Sequence, residues 1–99
     1  MSKIHFMIKL VPNRPTFSQD MTDHERGIMM AHIAYWKKYL EDGTMLVFGP
    51  VMHPEGAFGL GIIAVDSEEQ AIQLMANDPA STINTYEHHP MRAVTAANR

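Results

Sequence analysis

Residues 3–11, KIHFMIKLV, alternate in a way that predicts a strand: Ile4, Phe6, Ile8 and Leu10 share one face, and His5, Met7, Lys9 and Val11 share the other. The first face is wholly apolar and the second is mixed. PNRPTFSQDM, residues 12–21, carries two prolines and several turn formers, which predicts a loop. Thr22-Asp23-His24-Glu25 then supplies a capping box, with Thr22 as N-cap and Glu25 reaching back from N3. Beyond it Met29, His32, Ile33, Trp36 and Leu40 recur at three- and four-residue spacing, Glu25, Lys37, Lys38 and Glu41 fall largely elsewhere, and Gly43 provides a stop. A helix is predicted over 23–42. TMLVFGP and FGLGIIAV, separated by the turn-like VMHPEGA, read as a hairpin. Ser67 with Gln70 suggests a second capping box, Ala71, Ile72, Leu74 and Met75 a buried stripe, and NDP a helix end. TINTYEHHPM returns as a last strand, and TAANR reads as a tail.

The order β-α-β-β-α-β is the split βαβ arrangement of ferredoxin-like α+β folds: a four-stranded antiparallel sheet with both helices on one face. The other face has no helix to cover it. Yet the strands offer apolar side chains on both faces, among them Met7, Val11, Met45, Val47, Ile63 and Val65. Periodicity does not settle which of them turns outward. A sheet apolar on both sides must bury the second one, and pairing two such sheets about a two-fold axis does so, which predicts a homodimer.

Composition narrows the function classes. A length of 99 residues predicts one domain over 1–99, and a core so small gains from self-association. The net charge of −3 comes without a run of Lys or Arg, so neither nucleic acid nor an anionic membrane is an expected partner. Without cysteine there are no disulfides, thiolate nucleophiles or thiolate metal ligands, which suits a reducing compartment. The first residues, MSKIHFMIKL, lack the build of a signal peptide, and no window approaches the length of a membrane span. A cytoplasmic protein is expected. Nine methionines serve as gap-fillers in a small core or as an adaptable cavity lining.

Several residues carry candidate chemistry. His32 shares its helical stripe with Met29 and Trp36, so its ring is expected to face the sheet, where a group titrating near neutral pH can carry protons. Asp78, before Pro79, reads as a chain stop or as a carboxylate that accepts the Nδ1 proton of a histidine and fixes its tautomer. Gly49-Pro50 ends a strand, and Gly49 lets a backbone N–H approach a ligand. Arg14, between two prolines, is either solvated or a bidentate grip on a substrate oxyanion. Trp36 joins these as a lining residue. The six histidines show no i, i+4 or strand i, i+2 pair, so no metal site is expected. No Gly-rich phosphate loop, nucleophile elbow or dinucleotide fingerprint occurs, and the paired glycines of FGLGIIA lie within a strand.

Taken together, H-x-x-Y-W, then G-T-M-L-V-F-G-P-V, S-E-E-Q-A and N-D-P-A, resemble the YCII-related (YciI-like) family over nearly the whole chain. L-V-P-N-R-P-T-F and D-M-T-D-H-E resemble the branch with a longer loop before the first helix. The resemblance implies a dimeric α+β barrel with a cavity between sheet and helix, and an acid–base pair that falls on His32 and Asp78. It also places Gly49 and Pro50 near the same cavity. One relative removes chloride from a chlorinated hydroxyquinol, while other dimeric α+β barrels are muconolactone isomerases or cofactor-free or haem-linked monooxygenases. The expected function is a cofactor-independent lyase or isomerase acting on a small cyclic or aromatic compound. In that reading Arg14 or backbone near Gly49 holds an anionic oxygen. The competing readings are a non-catalytic ligand-binding or regulatory dimer and, third, a haem- or flavin-assisted oxygenase.

Overall fold

The alternation of residues 3–11 is realised as β1 (Ile4–Val11) in a computed structural model that describes residues 2–96, so the last three residues of the TAANR tail lie outside the described part. A short helix α1 (Phe17–Asp20) and the long α2 (Asp23–Glu41) follow, then β2 (Met45–Val51), β3 (Phe58–Val65), α3 (Glu68–Ala76), a 3-10 turn (Pro79–Thr82) and β4 (Thr85–Met91). The four strands form one antiparallel sheet in the order β2-β3-β1-β4. This is the ferredoxin-like α+β fold. The split βαβ connections put the two chain-terminal strands side by side in its centre and edge.

Strand register sorts the two faces. Phe6, Ile8 and Leu10 are buried and stand opposite Ile63, Gly61 and Gly59 on one side and Pro90, His88 and Tyr86 on the other. With Met45 and Val65 they meet Trp36 of α2 and Ala71, Leu74 and Met75 of α3 in the core. Met45, Ile63 and Val65 therefore belong to the covered face. By the same alternation Met7, Val11, Val47, Leu60 and Ile62 turn to the uncovered one.

α2 starts with the predicted capping box: the Glu25 N–H donates to Thr22 Oγ1 at 3.1 Å, and the Thr22 N–H donates to Glu25 Oε1 at 2.9 Å. Its end is also where expected, with Gly43 at φ +85° just beyond. The buried stripe is narrower than the periodicity predicts. Of its residues His32 and Trp36 are the buried ones, with Tyr35 and Tyr39 packed partly against the core, while Ile33 and Leu40 are over 40% exposed. Ile72 on α3 is exposed as well, so the stripe there is Ala71, Leu74 and Met75.

Three further expectations change. Residues 17–20 form a helical turn rather than plain loop, because burial of Phe17 and hydrogen bonds from Arg14 and Thr16 to Asp20 hold four residues that are too few to show a period. Ser67 caps α3 by accepting from the Gln70 N–H, but the Gln70 side chain accepts from the Asp66 N–H instead of closing the box. The last strand begins at Thr85 rather than at Thr82, since Thr82 closes the 3-10 turn. Among the described residues no helix is long and apolar enough to cross a membrane.

Candidate active site

Asp78 sits where α3 gives way to the 3-10 turn. Its backbone is extended, Pro79 pre-sets the first residue of the turn, and its Oδ1 caps that turn by accepting from the Ala80 N–H at 2.9 Å. The role of chain stop therefore leaves Oδ2 free for other work. That oxygen accepts three bonds: from His32 Nδ1 at 2.7 Å, from Trp36 Nε1 at 2.8 Å, and from the Tyr86 hydroxyl. His32 and Trp36 lie one turn apart on α2, so the helix presents both rings to one carboxylate. Tyr86 reaches it from β4 and accepts a bond from Trp36 Nε1 at 3.1 Å.

The Asp78 side chain is wholly shielded from solvent. Burial, the largest single influence, pushes its carboxyl up, but the donors from His32, Tyr86 and the Ala80 N–H, with the charge of His32, together outweigh it and hold the group below the ordinary carboxylate value. Tyr86 is driven well up, first by burial and then by the adjacent carboxylate, so its hydroxyl stays a donor. With Nδ1 of His32 committed as the donor to Asp78, the ring is fixed in one orientation and Nε2 is the nitrogen without a protein partner among the described residues. Phe48 packs edge-on against the His32 ring, with centroids 6.2 Å apart.

This ring lines a cavity of about 330 Å³ between α2 and the covered face of the sheet. Ile8, Leu10, Met29, Trp36, Met45 and Phe48 supply most of its inner wall, and residues of the 12–21 and 52–57 connections rim it. Gly59 and Gly61 form part of the floor. A side chain there would press on Leu10 or on Met45 and Ile8 and fill the space, which explains two glycines inside a strand. Gly49 and Pro50 also line the cavity, and Pro50 is accommodated because β2 is an edge strand. The register turns the Gly49 α-carbon's open side to the other face, where a Cβ would meet nothing within 4 Å. Close ligand approach thus does not account for that glycine.

Arg14 stands apart from the cavity lining. Its Nε donates to Asp20 Oδ1 at 2.8 Å, Nη1 to Asn13 Oδ1 and Glu25 Oε2, and Nη2 to the Asp20 carbonyl and Glu25 Oε1. All five donors of the guanidinium are used within the protein, so a grip on substrate is not its position here. It clamps the 12–21 connection to the start of α2, and it holds the Glu25 carboxyl far below its ordinary value, helped by the Thr22 N–H. Sequence reasoning missed Tyr86 and Phe48. Both stand on the covered face once register is known, opposite Leu10 and Gly61 respectively, but a strand of mixed residues gives no sign of register by itself. Among the described residues no three His, Cys, Asp or Glu side chains come together to hold a metal.

A ferredoxin-like sheet with a buried histidine–carboxylate pair at the wall of an apolar cavity defines the class of fold. The chain belongs to the YCII-related family, whose domain pattern matches residues 6–95. Among solved structures, the fold is similar to that of SnoaB, a cofactor-independent oxygenase from Streptomyces nogalater, with a TM-score of 0.51, 7% identity and 97% of each chain covered. No curated protein matches the sequence significantly.

Proposed function

We propose that the chain is a small-molecule enzyme that moves a proton through His32 without a cofactor, as a lyase or isomerase acting on a cyclic or aromatic compound. The observation that carries this reading is the bond between His32 Nδ1 and Asp78 Oδ2, which leaves Nε2 as the unpartnered nitrogen of a cavity-lining ring. Asp78 touches no substrate in this scheme. It holds the tautomer in which Nε2 has the free lone pair, and it balances the charge the ring gains on taking a proton. A carbon acid bound in the cavity loses its proton to Nε2. The same nitrogen returns that proton to another carbon in an isomerisation, while in an elimination a leaving group departs with the electron pair.

Trp36 and Tyr86 fix the carboxylate, and Phe48 fixes the ring. Similarity to a cofactor-independent oxygenase supports the view that this fold can work without a prosthetic group, but it does not select the reaction. Chlorinated and hydroxylated aromatics are the first substrates to test, with chloride release and exchange of substrate hydrogen for solvent deuterium as readouts. His32→Asn should lower turnover by about 10² to 10⁴. Undiminished turnover in that variant removes His32 from the mechanism. Absence of both chloride release and exchange across the series moves the chain to the ligand-binding reading.

We further propose that the chain works as a homodimer through the uncovered face of the sheet, where Met7, Val11, Val47, Leu60 and Ile62 have no helix against them. A cytoplasmic location remains part of the same proposal, on the grounds of cysteine-free composition.

A further inference from the structure

The cavity's wall bears on the charge of what enters it. Among the described residues no Asp, Glu, Lys or Arg lines it. The polar side chains that reach it are Ser18, His32, Trp36, Asn84 and Tyr86, and most of their capacity is spent inside the protein. Trp36 Nε1 and the Tyr86 hydroxyl donate to Asp78. Asn84 accepts from the Asn13 N–H and directs its amide group at the Met29 sulfur. Ser18 lies at the exposed rim. The one cation in the neighbouring connection, Arg14, is fully engaged by Asp20, Glu25 and Asn13. Inside, among the described residues, His32 Nε2 and the second N–H of the Asn84 amide are the side-chain groups left to meet a polar atom, and neither carries a fixed charge.

An anion placed here would be desolvated with no fixed positive partner. Any positive charge on the imidazole is already countered by the Asp78 carboxylate 2.7 Å behind it. Burial of an unpaired carboxylate costs far more than burial of a hydroxyl with one hydrogen bond. The floor formed by Gly59 and Gly61 is free of side chains, and Trp36 and Phe48 wall the space beside His32, a shape that favours a flat body. The volume lies near the low end of the range of small-molecule cavities, about 300–1,000 Å³.

We infer that the site selects uncharged, flat, apolar molecules bearing a single hydroxyl that donates to His32 Nε2, and rejects carboxylates of the same shape. This rests on the reading of the cavity as the substrate site, and it replaces the expected oxyanion grip by Arg14 with discrimination by the absence of a counter-charge.

The test is calorimetric titration at pH 7 with two ring systems of equal shape, 2-naphthol and 2-naphthoate. The naphthol should bind at least about tenfold more tightly. Ile33 lines the cavity mouth at 44% exposure, so Ile33→Lys can be made without burying the new charge. That variant should gain affinity for the naphthoate and narrow or reverse the preference. Equal or tighter naphthoate binding by the unmodified protein overturns the inference, as does failure of both compounds to bind. Because binding is read without turnover, naphthoate preference alongside His32-dependent turnover sinks this inference alone. Naphthol preference with no turnover of any substrate sinks only the catalytic reading.

Discussion

At residue 78 a single carboxylate oxygen collects donors from three aromatic side chains, and the consequences can be measured one group at a time. Tyr86→Phe removes the hydroxyl that both donates to Asp78 and accepts from Trp36, leaving buried partners short of a bond. The cost should be about 1–3 kcal/mol in denaturant unfolding. Ionisation gives a second test. The folded state holds the Asp78 carboxyl below its ordinary value of 3.8, so the unfolded chain binds that proton more readily. The stability this contributes is complete above that value and drains away as pH falls through the lower folded one. Asp78→Asn removes the titration, and its loss of stability below about pH 4 should be shallower than that of the unmodified protein in a series of urea titrations. A parallel slope would mean that other carboxylates, Glu25 foremost, carry the acid sensitivity. Periodicity alone placed His32 on an inward face. Its partner stands 46 residues away and reads locally as a chain stop, a role it also fills with its other oxygen. The resemblance of motifs, rather than spacing, was what joined the two, and Tyr86 had no such motif.

The elements were legible where they were long. α2 runs within a residue of its predicted limits because both its capping box and its glycine stop are local chemistry written in adjacent residues. Thr22→Ala should therefore cost about 1 kcal/mol, seen as a lower midpoint of thermal or urea unfolding with cavity binding retained. Short elements were opaque for the opposite reason. The turn at Phe17–Asp20 exists because Arg14, Asp20 and Glu25 pull the connection onto α2, and no four-residue window shows such a clamp. Exposure along α2 also escaped the pattern: the helix leans on Tyr35, Trp36 and Tyr39, so the apolar Ile33 and Leu40 are left outside. The two loops that rim the cavity meet at Gly56, whose φ is +134° and whose Cβ, if present, would lie 2.8 Å from the Pro15 carbonyl oxygen. Gly56→Ala combines backbone strain with a clash against main chain, so it should destabilise by more than about 1 kcal/mol. It should also weaken naphthol binding through displacement of the rim, whereas Thr22→Ala should leave that affinity alone.

At the scale of the whole molecule, one face of the sheet is left uncovered by the described residues. Alternation in the sequence revealed that both faces were apolar, but assigning Met7 and Val47 to the outer one and Met45 and Ile63 to the inner one needed the register. Val47 is 60% exposed and Met91 43%, with Ile62 and Leu60 between strands that bear them. A chain of 99 residues buries a smaller share of its surface than a larger domain does, so a second sheet laid on this face would supply burial that the monomer lacks. If that pairing is symmetric, each substitution enters the interface twice. Val47→Asp places two carboxylates in an apolar contact while leaving the covered core untouched. Sedimentation should show a dimer for the unmodified chain at micromolar concentration and a shift to monomer for the variant. Mass action adds a check that does not depend on any substitution: an obligate dimer gains stability with concentration, so its thermal midpoint should climb as the protein is concentrated. A monomer peak with a concentration-independent midpoint would mean that the uncovered face is left to solvent and that each cavity works alone.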